Sequence, residues 1–150
     1  MAEMDEIVRV GKVVSIDEKA HTVRVQLPDR GGMVSYDLPV LVSGSADVQD
    51  YNLPGEHTDV VCIFLPNGQQ QGFILGAYYT EANKPPASNR KKFMKKFSDG
   101  TTLEYDRSNK VLTVTADGGI TINGNITIKG NLTASGSITD SGGNTNNHSH

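Results

Sequence analysis

The sequence predicts an all-β protein, and three observations carry that expectation. Apolar residues gather in short runs rich in Val, Ile, Tyr and Phe, with no sustained 3.6-residue period. Turn residues separate those runs, drawn from 16 Gly and 6 Pro in 150 residues. Near the end stand four consecutive hexapeptides: ITINGN (120–125), ITIKGN (126–131), LTASGS (132–137) and ITDSGG (138–143). Each has Ile or Leu first, Thr second and Gly fifth.

Residues 1–80 read as a first domain. Strands are expected at 8–16 (VRVGKVVSI), 22–27 (TVRVQL), 34–42 (VSYDLPVLV), 57–65 (HTDVVCIFL) and 72–79 (GFILGAYY). DEKA joins the first two and PNGQQQ the last two, both hairpin-like. Five strands in so short a span fit a small closed barrel, because closure removes exposed strand edges, and an OB-type barrel is the first choice. Residues 81–92 form a linker, clearest over EANKPPASN (81–89), where Pro85 and Pro86 remove backbone donors.

A second unit is expected over 93–143. Runs 93–98 and 101–106 suggest a hairpin around Asp99-Gly100, a two-residue turn signal. RSNK (107–110) reverses the chain again into VLTVT (111–115). Each hexad then reads as a three-residue strand and an x-Gly-x turn, with Asn123-Gly124 the clearest turn pair. Ile120/Ile122 and Ile126/Ile128 alternate with Thr, so one face is apolar. The third place runs Ile122, Ile128, Ala134, Asp140, a core that tapers and finally turns polar.

Strands this short are not stable alone. A single-chain β-helix also uses hexapeptides, but four of them make little more than one coil, and stacked repeats need several units to bury a core. Intertwining identical chains supplies the missing surface. A homotrimeric intertwined β-helix or β-prism is therefore expected, three inward faces filling one axis.

Residues 144–150 form the apex and end in His148-Ser149-His150. On an extended backbone the two imidazoles at i and i+2 share a face. One chain offers two nitrogens; three chains offer six. Six imidazoles suit an octahedral first-row metal such as Fe(II), Co(II) or Ni(II), rather than tetrahedral zinc. His148 and His150 are thus the candidate metal ligands, with one ion per three chains. The competing reading of NNHSH is an unstructured tail. His21 and His57 lack ligand-like neighbours and read as a turn residue and a strand residue.

Charge narrows the function classes. Net charge is −3 but uneven: residues 1–89 hold 6 Lys/Arg against 12 Asp/Glu, whereas 90–96 (RKKFMKK) hold five cations and no acid. An acidic first domain is a poor match for nucleic acid, which leaves an OB-fold nucleic-acid-binding protein with an oligomerising tail as the alternative. Its only candidate patch is Arg90, Lys91, Lys92, Lys95 and Lys96. An enzyme is not expected: six His ligands leave no open metal position, and no nucleophile–base order or phosphate loop stands out. The lone Cys62, inside VVCIF, reads as a small buried hydrophobe in a reducing compartment. MAEMDEIV lacks the apolar core of a secretory signal, and no apolar run approaches 18 residues.

Three segments carry a resemblance. Residues 53–80 hold Gly55-Glu56, Pro66-Asn67-Gly68 and Gly72-Phe73-Ile74-Leu75-Gly76; residues 97–124 run FSDGTTLEYDRSNKVLTVTADGGITING; and the last three are His-Ser-His. In this order they resemble phage baseplate assembly protein V, the central spike family of contractile tails, whose parts recur in pyocin-like injection particles. The resemblance implies a homotrimeric needle with an OB barrel on the baseplate hub and tail tube, and a β-helix pointing outward. Sheath contraction would drive it through the target cell envelope. It implies an iron ion held by His148 and His150 of three chains. It places the protein at the virion tail baseplate or particle tip, after assembly in the host cytoplasm.

Overall fold

The computed structural model describes residues 7–66, 71–139 and 141. It is all-β, with antiparallel pairing throughout two sheets and a single 3-10 turn at Pro28–Arg30. The strands are β1 (Val8–Asp17), β2 (Thr22–Leu27), β3 (Met33–Val34), β4 (Leu38–Pro39), β5 (Asp59–Phe64), β6 (Gly72–Ala77), β7 (Lys92–Lys96), β8 (Thr102–Asp106) and β9 (Val111–Thr115).

The first sheet runs β3-β2-β1-β5-β6, with β4 also on β2. β1 and β2 are joined through Asp17, whose Oδ1 accepts the backbone N–H of Lys19 (3.0 Å) and Ala20 (2.9 Å). An Asp there ties off donors that no strand partner can reach. β1 carries an irregularity between Val13 and Ser15, which bends it so that one end pairs β2 and the other β5. Residues 38–41 link β2 to β6. Leu38 pairs Val23 on β2, while Val40 bridges Ile74 on β6 in parallel and Leu41 N–H donates to Ile74 O at 3.1 Å.

Val13, Val23, Val25, Leu27, Leu38, Val60, Cys62 and Ile74 form one buried cluster. They alternate along β1, β2 and β5 as a two-residue period demands. Ile16, Val40, Leu53 and Phe64 close its margins. Arg9 also turns its side chain out of solvent and pairs with Asp29 of the 3-10 turn.

The expected strand over 34–42 is instead two short pieces. Ser35 interrupts it: its buried hydroxyl accepts Val25 N–H (3.0 Å) and donates to Tyr36 O (2.7 Å). A side chain thereby takes the bond that a strand carbonyl would have made. The strand expected from 57 begins at Asp59, because His57 sits in a turn with φ 65° and gives its N–H to Val13 O (2.9 Å). His57 is therefore a turn residue, not the strand residue expected, whereas His21 is in a turn as read, with φ 56°. Most of the PNGQQQ connection (67–70) lies outside the described residues.

The second sheet is the meander β7-β8-β9. Its first connection has three residues rather than two. Phe97 N–H bonds Thr101 O at 2.9 Å, leaving Ser98, Asp99 and Gly100 as the loop. Gly100 takes φ 92°, the left-handed place that such three-residue loops reserve for glycine. Asp99 Oδ1 accepts Thr101 N–H at 2.9 Å and closes the loop from within.

Candidate assembly surface

Register sorts the β7–β9 residues onto two faces. Phe93 pairs Tyr105, which pairs Leu112; Lys95 pairs Leu103, which pairs Val114. Across the other face, Lys92 pairs Asp106, Met94 pairs Glu104 and Lys96 pairs Thr102, with Thr113 and Thr115 beyond. On that polar face Lys92 Nζ reaches Glu104 Oε1 diagonally at 3.0 Å. The bond and charge of Glu104 raise the Lys92 ammonium above its usual range.

The apolar face has no cover among the described residues. Phe93 is 68% exposed, Leu112 63% and Val114 45%. Antiparallel sheets commonly solvate one face, but the solvated face is then the polar one. Here a row of Phe, Leu, Tyr and Val faces solvent instead. β9 is also a sheet edge, VLTVT without a charge, and such an edge is a template for another strand.

The hexads that follow in sequence are exposed as well. Ile120, Ile122, Ile126, Ile128, Leu132 and Ile138 are 52–68% exposed. Over 116–139 no residue pairs into a strand with another of the described residues. The physical reason is local: three residues cannot bind themselves, and among the described residues no neighbouring strand lies alongside. The expected turns do recur. Bends fall at Gly124, at Lys129–Gly130 and at Ser135–Gly136, the fifth place of successive hexads. Gly119, with φ 89° and its N–H on Ala116 O (3.0 Å), turns β9 into the first of them.

The metal ligands expected at the end, His148 and His150, lie outside the described residues, as does Asp140, the polar end of the taper. Among the described residues no three His, Cys, Asp or Glu side chains group as a metal would require. His21 packs its ring against Tyr51, centroids 5.4 Å apart. Cys62 is fully buried, and burial pushes its thiol up to about 11.

The basic run is dispersed in role. Lys92 is paired with Glu104, and Lys95 Nζ lies 5.9 Å from the Phe97 ring centre. The backbone carbonyls of Arg90 and Lys91 are held by Arg107. Arg90, Lys91, Arg107 and Ser108 line an open cavity of about 220 Å³. What the sequence did not reveal is a polar knot around Asp59, described below; an Asp opening a strand carries no signal that Lys12, Thr80 and Asn83 will meet it.

Compared with known proteins, the chain matches no family model and no curated protein.

Proposed function

We propose that this chain is the central spike of a contractile tail: a structural needle, not an enzyme, driven through a target cell envelope when a sheath contracts. One observation carries the reading. The uncovered apolar face of β7–β9 is followed in sequence by a period-six apolar row over 120–139, and neither has a partner among the described residues. Three intertwined copies, turning these rows onto one axis, form a homotrimeric β-prism that covers both. The exposed area supports this. The chain presents 12298 Å², against about 7,400 Å² for a compact monomer of this mass.

The first sheet supports the other half of the reading. The ring of contacts β1-β2-β4-β6-β5, with 38–41 meeting β6 in parallel, fits a five-stranded OB-type barrel around the buried cluster. Its proposed partners are the baseplate hub and tail tube. At the far end, His148 and His150 of three copies would supply six nitrogens to one iron or other octahedral divalent ion, closing a thin prism with coordinate bonds.

The test is mass and metal on one purified sample. Light scattering should report about three times the chain mass of 16.1 kDa. Elemental analysis should find one transition metal per three chains, lost in His148→Ala/His150→Ala while the barrel stays folded. A monomer would overturn the spike. A trimer without metal would remove the apex site alone. Gold labelling of contractile particles should place the chain at the baseplate end of the tail axis.

A further inference from the structure

The segment between the two sheets is pinned at both ends. On the side of the first sheet, the Asp59 carboxylate accepts from Lys12 Nζ (3.1 Å), Thr80 Oγ1 (3.1 Å) and Asn83 Nδ2 (3.4 Å). Asn83 Nδ2 donates also to His57 O at 3.1 Å. Thr80 N–H meets Asn83 O (3.1 Å) and Asn83 N–H meets Thr80 Oγ1 (3.3 Å), so 80–83 is a closed turn fastened to β5 and β1. On the side of the second sheet, Asn89 Oδ1 accepts Lys91 N–H (3.0 Å) and Asn89 O accepts Lys92 N–H (3.0 Å). Arg107 then donates its backbone N–H to Lys91 O (3.0 Å), its Nε to the same carbonyl (3.4 Å) and its Nη2 to Arg90 O.

Between these fastenings only Lys84-Pro85-Pro86-Ala87-Ser88 is left. Two of its five residues have φ fixed by the pyrrolidine ring, and no glycine occurs anywhere in 81–92. Five such residues extend about 16 Å at 3.1 Å each and bend little over that length. A linker that reads as twelve residues in the sequence is mechanically five.

We propose that this joint is a latch. The Asp59–Asn83 contact and the Arg107 clasp leave a short, stiff joint that confines the two units to a narrow range of separations. The inference does not rest on the spike reading, since it concerns one chain. Asp59 suits the role because its side chain is nearly buried on β5 and joins Lys12 of β1 to Thr80 and Asn83 of the segment itself. Removing Asn83 frees the segment without touching the apolar cluster, in which Asn83 takes no part.

Spin labels at Ser15→Cys and Lys96→Cys, both exposed, would read the joint directly. Buried Cys62 stays unlabelled. The labelled chain is refolded with a large excess of unlabelled chain, so only distances within one chain are recorded. A single narrow distance distribution is expected. In Asn83→Ala, and in Asp59→Asn/Asn83→Ala, it should become roughly twice as wide, with the first unit's melting temperature held in Asn83→Ala. A broad distribution before any latch substitution, or the same width after it, would overturn the proposal.

Discussion

Gly124 and Gly130, six residues apart in successive hexads, hold nearly the same backbone: φ 147° and 150°. The repeat in sequence is therefore a repeat in conformation. Both angles lie where a Cβ is strained, and neither glycine has an atom within 4 Å of where a Cβ would stand. Space is free; backbone torsion is not. Gly124→Ala and Gly130→Ala should each lower stability by ~1–3 kcal/mol. Gly136, which shares the fifth place but not the positive φ, should tolerate alanine. Thermal melts of the three variants test the contrast, and equal melting temperatures would refute it.

Cys62 should be silent to thiol reagents in the folded protein. It is fully buried in the cluster and its thiol is pushed up to about 11 by desolvation. Thiolate, not thiol, is the nucleophile, so near pH 8 both access and ionisation are denied. Titration with a chromogenic disulfide should find no reactive thiol before denaturant and one per chain after. Rapid reaction in buffer alone would show that β5 opens readily.

The fold was legible where a two-residue period decides burial. β2 falls where Thr22 to Leu27 alternate. It was illegible where a side chain replaces a backbone partner. Ser35 takes Val25 N–H and splits one expected strand in two, and nothing in VSYDLPVLV announces that bond. His57 hides likewise, since a left-handed His looks like a strand residue beside Thr58 and Asp59. The exposed apolar rows were readable for the opposite reason. Period-six Ile and Leu need no partner residue to be noticed, and their exposure follows from three-residue runs being too short to pair. The joint was only half visible: Pro85-Pro86 mark a boundary, but the bonds that shorten it join residues as distant as Lys12 and Asn83.

Acid should weaken the protein through four aspartates, of which exposed Asp37 is lowered chiefly by its hydrogen bond from Arg24. Asp59 is held below the usual carboxylate range chiefly by its bond from Lys12, with help from Thr80 and Asn83. Asp99 is lowered mainly by Thr101 N–H and Asp106 mainly by Ser108 N–H. A folded pKa below the unfolded one gives stability that is present above the unfolded value and lost as pH falls through the folded one. Melting temperature should therefore stay level from neutral pH to about 5 and decline below about 4, the ordinary aspartate value. Lys92 acts in the opposite direction: raised by Glu104, it contributes below its unfolded value and loses that contribution as pH climbs past about 10.4. Asp99→Asn should shift the acid limb upward in stability relative to its own neutral plateau; an unchanged limb would mean that the loop bonds do not hold in solution.

Leu112→Glu separates a covered sheet face from a bare one. Leu112 is 63% exposed in the single chain and pairs Tyr105 on the apolar face. If that face met only water, the substitution would change stability by no more than about 0.5 kcal/mol, as surface changes do. If three copies turn the face inward, as proposed, each Glu carries a charge into an apolar axis, beside two more of the same sign, and burying an unpaired carboxylate costs several kcal/mol per ion. The expected outcome is loss of the trimer at neutral pH with the first unit intact. Lowering the pH towards 4 should partly restore assembly by protonating the carboxylates. Thr113→Glu, on the polar face of the same strand, should leave the trimer in place. Light scattering of both variants at the two pH values decides the matter: a Leu112→Glu chain that remains trimeric at neutral pH would show that β7–β9 does not face the axis.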